Sequence, residues 1–387
     1  MDNYFKNLRI LDHTRYLLGG YATQVFADLG AEVIKIEDTG AGDFCRAEEP
    51  KRNDVSYYFS ALNRNKKSVC LNFKTEEGRE AYFKLVETAD VVIENFRPGV
   101  TTRLGIDYEQ ECAHNLMIIH CSMSSFGQFD ERSLRALHDI NFQALSGYLS
   151  LNGGGVSPIH FVDVSTGMAA VQSIMAALLQ REATGKGSFC DVRMFDSFVW
   201  WNSLIDARYD FYGGQVSRET LDYPVIAYNV YETKDGGRVS IGMLEEKFWQ
   251  SFLEALGRTD LQPYKLCRRF EAPEKFAEVE EIFKSKTYAE WEEFFADKDC
   301  CAMPVKTKDQ AIKAIVESGT GLIEYVDYPH TGPTLQTRIP IQVSSIPVSL
   351  KDAVEAPQLG QHTDEILKSL GYGDDDITAM KNKGACK

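Results

Sequence analysis

The sequence predicts an α/β protein with two parts, a large domain on a Rossmann-like parallel sheet and a smaller α+β domain. Residues 8–38 carry an apolar strand, a helix and a second apolar strand, which is the pattern of a βαβ unit. An apolar strand that runs into a small-residue loop then recurs at 90–100 and at 117–127. Beyond residue 205 the pattern changes to paired strands followed by helices.

Within the first domain the predicted elements alternate between strand and helix, as a parallel sheet with crossover helices requires. Gly30 stands where the first helix should end, and Pro98 and Gly99 break the chain after a later strand. Ligands of open α/β sheets gather at the carboxyl ends of the strands, so we expect a site at that edge. Strands are predicted at 8–12, 31–38 and 90–96, after a basic turn within 63–73, and before a small-residue loop within 117–127. The predicted helices lie at 19–30, 75–89 and 164–181.

The second domain is predicted from two strands at 223–243 around a turn at 234–237, with helices at 245–257 and 288–297. A proline-containing segment then leads to a last helix at 356–371 and is expected to return over the first domain. The predicted division is a large domain at 1–205, a small domain at 206–325 and a C-terminal segment at 326–387.

Composition favours an acidic soluble enzyme over a nucleic-acid-binding protein. The 387 residues are 44% hydrophobic and 26% charged, and the formal net charge is −15, whereas a nucleic-acid surface needs positive charge. No run approaches the ~18 apolar residues of a membrane span, and the N-terminus lacks the pattern of a signal peptide. The nine cysteines have neither CxxC nor metal-ligand spacing, so we expect free thiols, a cytoplasmic location and no metal site.

Two stretches were considered for phosphate binding, and only the second is a candidate. The Gly-Gly pair at 19–20 lacks the GxGxxG spacing of a dinucleotide fingerprint, so NAD binding is not expected. The second stretch is a basic turn made of Asn63, Arg64, Lys66 and Lys67. Its side chains suit the phosphates of an anionic ligand, and an ordinary solvated turn is the alternative.

The stretch from Phe126 to Asp191 contains two of the predicted catalytic residues. Asp163 stands at the start of a long apolar helix, and His138 lies upstream, where the chain can fold back toward it. A carboxylate and an imidazole together suit proton transfer or acyl transfer. Asp163 itself has two interpretations: an N-cap of the helix, or a position that aims backbone N–H groups at a bound carbonyl oxygen.

Four blocks, in order along the chain, resemble CoA-transferase family III, which also contains the α-methylacyl-CoA racemases. The blocks are ADLGAEVIKIE (27–37), DVVIENFRPGV (90–100), TGKG (184–187) and GQHTDEIL (360–367). The resemblance covers nearly the whole chain. It implies a Rossmann-like large domain, chemistry on CoA thioesters and an interlocked homodimer.

Two further segments are similar to the racemase branch of that family. The segment HDINFQALSG matches a racemase segment whose histidine is one of two catalytic bases, and the match falls on His138. The segment IGMLEEKF matches one whose glutamate orients that histidine, and this match falls on Glu245. Asp163 falls on the aspartate that both branches use.

The chain also departs from the racemase pattern. The stretch between His138 and Asp163 is shorter than in racemases and contains three consecutive glycines at 153–155. Residues 221–231 replace a more glycine-rich segment, and the opening at 14–24 is as similar to transferases as to racemases. These segments concern the acyl pocket, so the sequence leaves the acyl group open.

The racemase resemblance implies exchange of the α-proton of a 2-methylacyl-CoA thioester between two bases. His138 would serve one face of the carbon and Asp163 the other, while Glu245 would hold the imidazole. The enolate oxygen would meet backbone N–H groups at the start of the 164–181 helix. We favour this reading because the His138 and Glu245 pair has no evident use in CoA transfer.

Two alternatives stay open. In a CoA-transferase, Asp163 would form an aspartyl anhydride and then an aspartyl-CoA thioester, from which a free acid takes the CoA. In the third reading the chain binds acyl-CoA without catalysis.

In each reading CoA would lie along the carboxyl edge of the sheet as part of the substrate, and no other cofactor is expected. The candidate contacts to its phosphates and adenine are Arg97, Asn63, Arg64, Lys66, Lys67, Arg15 and Arg46. The expected partners are an acyl-CoA and a second copy of this chain, with neither a nucleic acid nor a membrane.

Overall fold

The computed structural model describes residues 3–214 and 224–387, so the first residues of the predicted segments 221–231 and 223–243 lie outside the described part. The chain forms two compact units. One contains Met1–Ser203 and Ser318–Lys387, and the other contains Leu204–Glu317.

The first unit is built on a six-stranded sheet in which all neighbouring strands are parallel. From edge to edge its strands are Lys66–Cys70, Glu32–Glu37, Arg9–Asp12, Val91–Glu94, Ile119–Ser124 and Ser188–Arg193. The predicted α/β class with a Rossmann-like sheet is confirmed. The chain order reverses at Arg9–Asp12, and ligand crevices of open α/β sheets form at such a switch point.

Apolar side chains pack on both faces of this sheet. Ile10 and Leu11 are adjacent and fully buried, yet they belong to two different apolar clusters, because successive strand residues point to opposite faces. Strands that are buried on both faces are typical of parallel sheets covered by helices.

The remaining elements of the first unit are helices, short 3-10 turns and two hairpins. The helices are Tyr16–Leu29, Tyr57–Leu62, Glu76–Val86, Val100–Leu104, Tyr108–His114, Asp139–Leu145, Tyr148–Leu151, Phe161–Thr184, Met194–Trp201, Thr363–Ser369 and Asp374–Asn382. The 3-10 turns are Tyr4–Asn7 and Phe44–Ala47. The hairpins pair Lys51–Arg52 with Val55–Ser56 and Ile323–Tyr328 with Gly332–Thr337.

The long helix Phe161–Thr184 packs against the helix Tyr16–Leu29 at a glycine. A Cβ atom at Gly167 would lie 2.8 Å from the carbonyl oxygen of Leu18, so a larger residue there would push the two helices apart. The long helix begins three residues before the predicted start. Asp163 is therefore its third residue and not its N-cap, which corrects the predicted cap.

In the described part of the chain, the helix Phe161–Thr184 is long and apolar enough to cross a membrane by length and composition alone. Half of its most apolar window is buried inside the protein. Ala170, Ile174 and Leu178 lie in the apolar core of the first unit, as in a core helix.

The second unit combines a three-stranded antiparallel sheet with helices around an aromatic core. Tyr231 and Phe283 stack with ring centroids 4.5 Å apart, and Trp291 donates from Nε1 to the carbonyl of Phe283 at 2.8 Å. Its strands are Tyr228–Glu232, Arg238–Gly242 and Ala302–Pro304, and its helices are Glu246–Leu256, Pro273–Lys284, Tyr288–Phe295 and Lys308–Glu317, with a 3-10 turn at Thr259–Tyr264. A further helix, Ser203–Phe211, begins at the boundary of the two units.

A cluster of buried charges lies near the carboxyl end of the first strand. Lys35 is fully buried, and its Nζ lies 2.8 Å from Asp43 and 3.9 Å from Asp12. Lys66 is also buried, 3.3 Å from Asp12. Burial alone would raise the pKa of the Asp12 carboxyl, but Lys35 and Lys66 outweigh it and hold that pKa well below its usual range.

We predict that Lys35→Met strongly destabilises the fold. The substitution leaves Asp43 buried without a cation among the described residues and takes from Asp12 one of its two cations. Breaking a buried pair in this way costs roughly 3–5 kcal/mol. Urea denaturation followed by circular dichroism measures the free energy of unfolding.

The matched control is Lys67→Met in the neighbouring strand. Lys67 lies 3.1 Å from Glu32 and 3.0 Å from Glu365, but its side chain is 35% exposed. A solvent-screened pair of this kind contributes about 1 kcal/mol or less. Equal losses in the two variants would contradict the structural role given to the buried cluster.

Candidate active site

Asp163 is a half-buried carboxylate in the first turn of the helix Phe161–Thr184. Its side chain is 17% exposed. Among the described residues no hydrogen bond to this carboxylate is found, and its one ion-pair contact is to Nδ1 of His160 at 3.7 Å. That distance is too long for a hydrogen bond.

Asp139 takes the capping role that the sequence assigned to Asp163. Its Oδ2 accepts the backbone N–H groups of Val162 at 2.7 Å and of Asp163 at 3.2 Å. Its Oδ1 accepts a hydrogen bond from the side-chain amide of Gln143. The expected oxyanion site at this helix start is therefore corrected, because Asp139 already occupies two of its amides.

The environment of Asp163 disfavours the charged form of its carboxyl group. Burial raises the pKa of Asp163 to about 6, the nearby Asp139 carboxylate adds to the increase, and His160 opposes it. An aspartate with a pKa near neutrality, away from any hydrogen-bonded ion pair, is the kind of group that proton-transfer and acyl-transfer sites contain.

Two tyrosines connect Asp163 with the carboxyl edge of the sheet. Burial raises the pKa of Tyr58, and the charge of Asp163 is the next cause, so the two groups interact electrostatically. The ring of Tyr58 meets that of Tyr16 edge to face at 6.2 Å. Tyr16 in turn donates its backbone N–H to Asp43 at 3.2 Å.

A cavity of about 390 Å³ opens at this edge of the sheet. It is lined by residues that follow the ends of neighbouring strands, among them His13, Arg15, Asp43, Asn72 and Phe96. The cavity lies at the topological switch point of the sheet, where ligands of α/β proteins bind. Its size falls within the range of small-molecule sites.

His13 forms the most unusual part of the cavity wall. Its imidazole is 3% exposed and packs against the rings of Phe73 and Tyr82, and neither nitrogen has a hydrogen-bond partner within the described residues. Burial lowers the pKa of His13 to about 3, so the ring is neutral at physiological pH.

Of the four arginines that were predicted to contact CoA, Arg15 lines this cavity. It pairs with Asp38 at 3.1 Å and lies over the ring of Phe44 at 4.4 Å. Arg97 is exposed and follows Phe96, another residue of the cavity wall. Arg46 instead binds Glu37 through two nitrogens, each at 2.7 Å, which gives it a structural partner.

The basic turn of the sequence is not a solvated turn. Asn63 and Arg64 are 1% and 2% exposed; Arg64 pairs with Asp28, and Asn63 accepts a hydrogen bond from Lys66 at 2.9 Å. Because Asn63, Arg64 and Lys66 are buried, they offer no surface to a ligand phosphate, and their predicted CoA contacts are not supported. Lys67 is more exposed but bridges two glutamates, Glu32 and Glu365.

The structure does not pair His138 with Asp163. His138 is exposed at the N-terminus of the helix Asp139–Leu145, where its backbone N–H donates to the side chain of Asn141 at 2.9 Å. Glu245 is exposed at the start of the helix Glu246–Leu256 in the second unit. Their catalytic roles stay predictions.

The sequence reasoning missed His160 and Tyr58, and it noted Asp139 beside His138 without assigning it a role. A signal for His160 was available, since a histidine three residues before an aspartate at a helix start lies on the same face.

The potential ligand atoms of Asp139, His160 and Asp163 lie within 4.8 Å of one another, a spacing that could hold a metal ion. Asp139 already accepts three hydrogen bonds, so we assign no metal to this group.

Comparison with known sequences establishes the family. The profile of CoA-transferase family III matches residues 5–363. Human succinyl-CoA:glutarate CoA-transferase is 31% identical over 392 aligned positions, which cover 98% of this chain and 89% of the human protein. Formyl-CoA:oxalate CoA-transferase of Rhodopseudomonas palustris is 28% identical and aligns with 100% of this chain and 98% of its own.

Solved structures lead to the same family. A CAIB/BAIF family protein from Brucella suis has a TM-score of 0.82 and 28% identity, with 96% of this chain and 100% of that chain covered. A hypothetical protein from Mycobacterium tuberculosis has a TM-score of 0.78 and 27% identity, with coverages of 93% and 97%.

An α/β fold and a half-buried carboxylate with a raised pKa are typical of an enzyme active site, and the comparisons make the class specific. This chain belongs to CoA-transferase family III. The family resemblance is confirmed, whereas the comparisons give the racemase branch no specific support.

We predict that Asp163→Asn stabilises the protein at pH 7.5. The pKa of Asp163 is about 6 in the folded state and near 3.8 without the fold, so the folded carboxyl group resists ionisation. The penalty is absent below the lower value, grows as pH rises between the two and is complete above pH 6. A difference of this size corresponds to roughly 2–3 kcal/mol.

The gain should shrink by more than half at pH 4.5, which urea denaturation at the two pH values can measure. Asp139→Asn is the matched control, and it should lower stability, because it removes a charged cap at roughly 1 kcal/mol. A pH-independent effect of Asp163→Asn would contradict the environment described for Asp163.

Proposed function

We propose that this enzyme transfers CoA from an acyl-CoA to a free carboxylic acid through an aspartyl-CoA thioester on Asp163. The observation that carries the proposal is the contrast between two neighbouring carboxylates. Asp139 is held by three hydrogen bonds, whereas Asp163 has none among the described residues. A half-buried carboxylate without hydrogen bonds is a better nucleophile than a solvated one.

The reaction needs no redox partner and no net proton. One oxygen of Asp163 attacks the donor thioester, the C–S bond breaks, and CoA leaves as a thiolate from the aspartyl anhydride. The thiolate then attacks the aspartyl carbon and expels the donor acid, which leaves Asp163 as a CoA thioester. The acceptor carboxylate then attacks the aspartyl carbon of this thioester and releases the CoA thiolate, which gives a second anhydride. The thiolate attacks the acceptor carbonyl of that anhydride, so the acceptor leaves as its CoA thioester and the Asp163 carboxylate is restored.

The cavity of about 390 Å³ is our proposed site for CoA. Apolar walls that include Leu71, Phe73 and Phe96 suit an adenine or a pantetheine chain, and Arg15 offers a positive charge at the same cavity. Arg97 stays a candidate for a phosphate contact because it is exposed next to Phe96.

Short dicarboxylic acids are the proposed acceptors. The relatives named above act, by their names, on glutarate and on oxalate, and succinyl-CoA:mesaconate CoA-transferase of Haloarcula marismortui is 35% identical over 66% of this chain. Each of these acids carries a second carboxylate, and substrates of this class are therefore the first to test.

Racemisation is the weaker proposal for the same site. It needs a second base across the α-carbon from Asp163, for which the exposed His138 is the candidate, and the named relatives are CoA-transferases. The match of the HDINFQALSG segment is what still favours it.

We predict that donor acyl-CoA alone will convert the wild-type protein into a covalent adduct heavier by CoA minus water. Succinyl-CoA and acetyl-CoA are the donors to try, and glutarate, oxalate and mesaconate the acids that should discharge the adduct. Intact-protein and peptide mass spectrometry locate the adduct. Asp163→Asn should form none and lower transfer by about 10⁴-fold or more, as loss of a nucleophile does.

The rate of adduct formation should fall as pH drops through about 6, because protonation of Asp163 removes the nucleophile.

The competing reaction, racemisation, is tested in D₂O with 2-methylacyl-CoA esters and no acceptor acid. Deuterium uptake at the α-carbon that is lost in both His138→Ala and Asp163→Ala, without any adduct, would replace the transferase proposal by the racemase one.

We also propose that the chain forms a homodimer. Consecutive helices of the first unit expose large apolar side chains, including Leu179 at 74% and Trp200 at 67%. Scattered apolar residues are normal on a monomer, but neighbouring helices with exposed tryptophan and leucine are typical of interfaces. Light scattering on the purified protein should give twice the chain mass, and a monomer at micromolar concentration would contradict this proposal.

A further inference from the structure

We propose that His160 is a catalytic residue of the transfer, and that its imidazole stabilises the negative charge that forms on Oδ2 of Asp163. This inference rests on the proposed function and adds a residue that the sequence did not single out. It concerns the two steps in which a nucleophile adds to the aspartyl carbon.

The geometry places the imidazole next to one particular oxygen. Nδ1 of His160 lies 3.7 Å from Oδ2 of Asp163, so the other oxygen is left to attack the donor thioester. The His160 side chain is 60% exposed and makes no capping hydrogen bond, although its residue is the N-cap of the helix. It is therefore able to move by the roughly 1 Å that turns this contact into a hydrogen bond.

Three of the backbone N–H groups that could stabilise an oxyanion at this helix start already have acceptors. The N–H groups of Val162 and Asp163 donate to Asp139, and the N–H of Val164 donates to the carbonyl of His160 at 3.0 Å. A new charge on Asp163 needs another donor, since an unpaired oxyanion in a half-buried site is costly.

The charge appears on Oδ2 for a chemical reason. In the anhydride and in the thioester, Oδ2 is the carbonyl oxygen of the acylated aspartate. When the CoA thiolate or the acceptor carboxylate adds to the aspartyl carbon, the C–S or C–O bond forms, and the carbonyl electron pair moves to Oδ2. The intermediate collapses when that pair returns and the bond to the leaving carboxylate or thiolate breaks. A donor at Nδ1 acts on both additions.

Two other roles of His160 make different predictions. A residue that only sets the pKa of Asp163 would lose its influence well above pH 6, where the carboxylate is ionised in any case. A purely structural cap would change stability and not rate. Measurements at pH 8.5 with a parallel thermal melt separate these roles from catalysis.

The test follows adduct formation from succinyl-CoA or acetyl-CoA in a single turnover at pH 8.5, by quenched flow and mass spectrometry. We expect His160→Ala to slow adduct formation and kcat by about 10²-fold, the usual effect of losing one oxyanion donor. KM for the donor and the melting temperature should change little. His160→Asn retains an N–H donor of similar reach and should recover part of the rate.

His330→Ala is the matched control. His330 is also exposed and lies 3.0 Å from a carboxylate, that of Glu355, so the substitution removes the same kind of pair elsewhere and should leave the rate unchanged. If the wild-type protein forms an adduct and His160→Ala forms it equally fast, the role of His160 is overturned while the transfer stands. If the wild-type protein forms no adduct with any donor of the panel, both proposals fall.

Discussion

The hydrogen bonds of Asp139 are the constraint on which the candidate site depends. This carboxylate accepts two amides at the start of the longest helix and thereby satisfies the positive end of the helix. Asp163, the third residue of the same helix, does not cap it, and burial together with the charge of Asp139 raises the pKa of its carboxyl group. Two carboxylates with different partners acquire different chemistry, because Asp139 accepts three hydrogen bonds while the environment of Asp163 opposes its charge.

A second constraint joins the buried charges of the sheet to this site. Asp43 pairs with Lys35 through one oxygen and accepts the amide of Tyr16 with the other. Tyr16 has a φ of 60°, which is a strained conformation for a bulky residue and persists only where its neighbours hold it. Tyr16 contacts both Asp43 of the cavity wall and the ring of Tyr58, so the buried charges help to hold these two tyrosines in place.

The sequence was most informative where a repeating pattern had one structural solution. Alternation of apolar strands with helices predicted the parallel sheet, because few other topologies bury such strands. The basic turn at 63–67 had more than one structural solution. Solvation is the common fate of lysines and arginines, and their burial here depends on Asp12 and Asp28, which are distant in sequence. For the same reason Asp163 was predicted as a cap, since nothing in the sequence says that Asp139 reaches this helix across 23 residues.

The partners of Asp163 bear on which reaction the site favours. A carboxylate with a pKa near 6 suits a base as well as a nucleophile, so the second group decides between them. Proton exchange between two faces requires a base on the far side of the substrate, and such a base need not contact Asp163. Acyl transfer through Asp163 places charge on its own oxygen and requires a donor within reach of that oxygen. Nδ1 of His160 lies 3.7 Å from Oδ2, which is where the proposed transfer requires a donor.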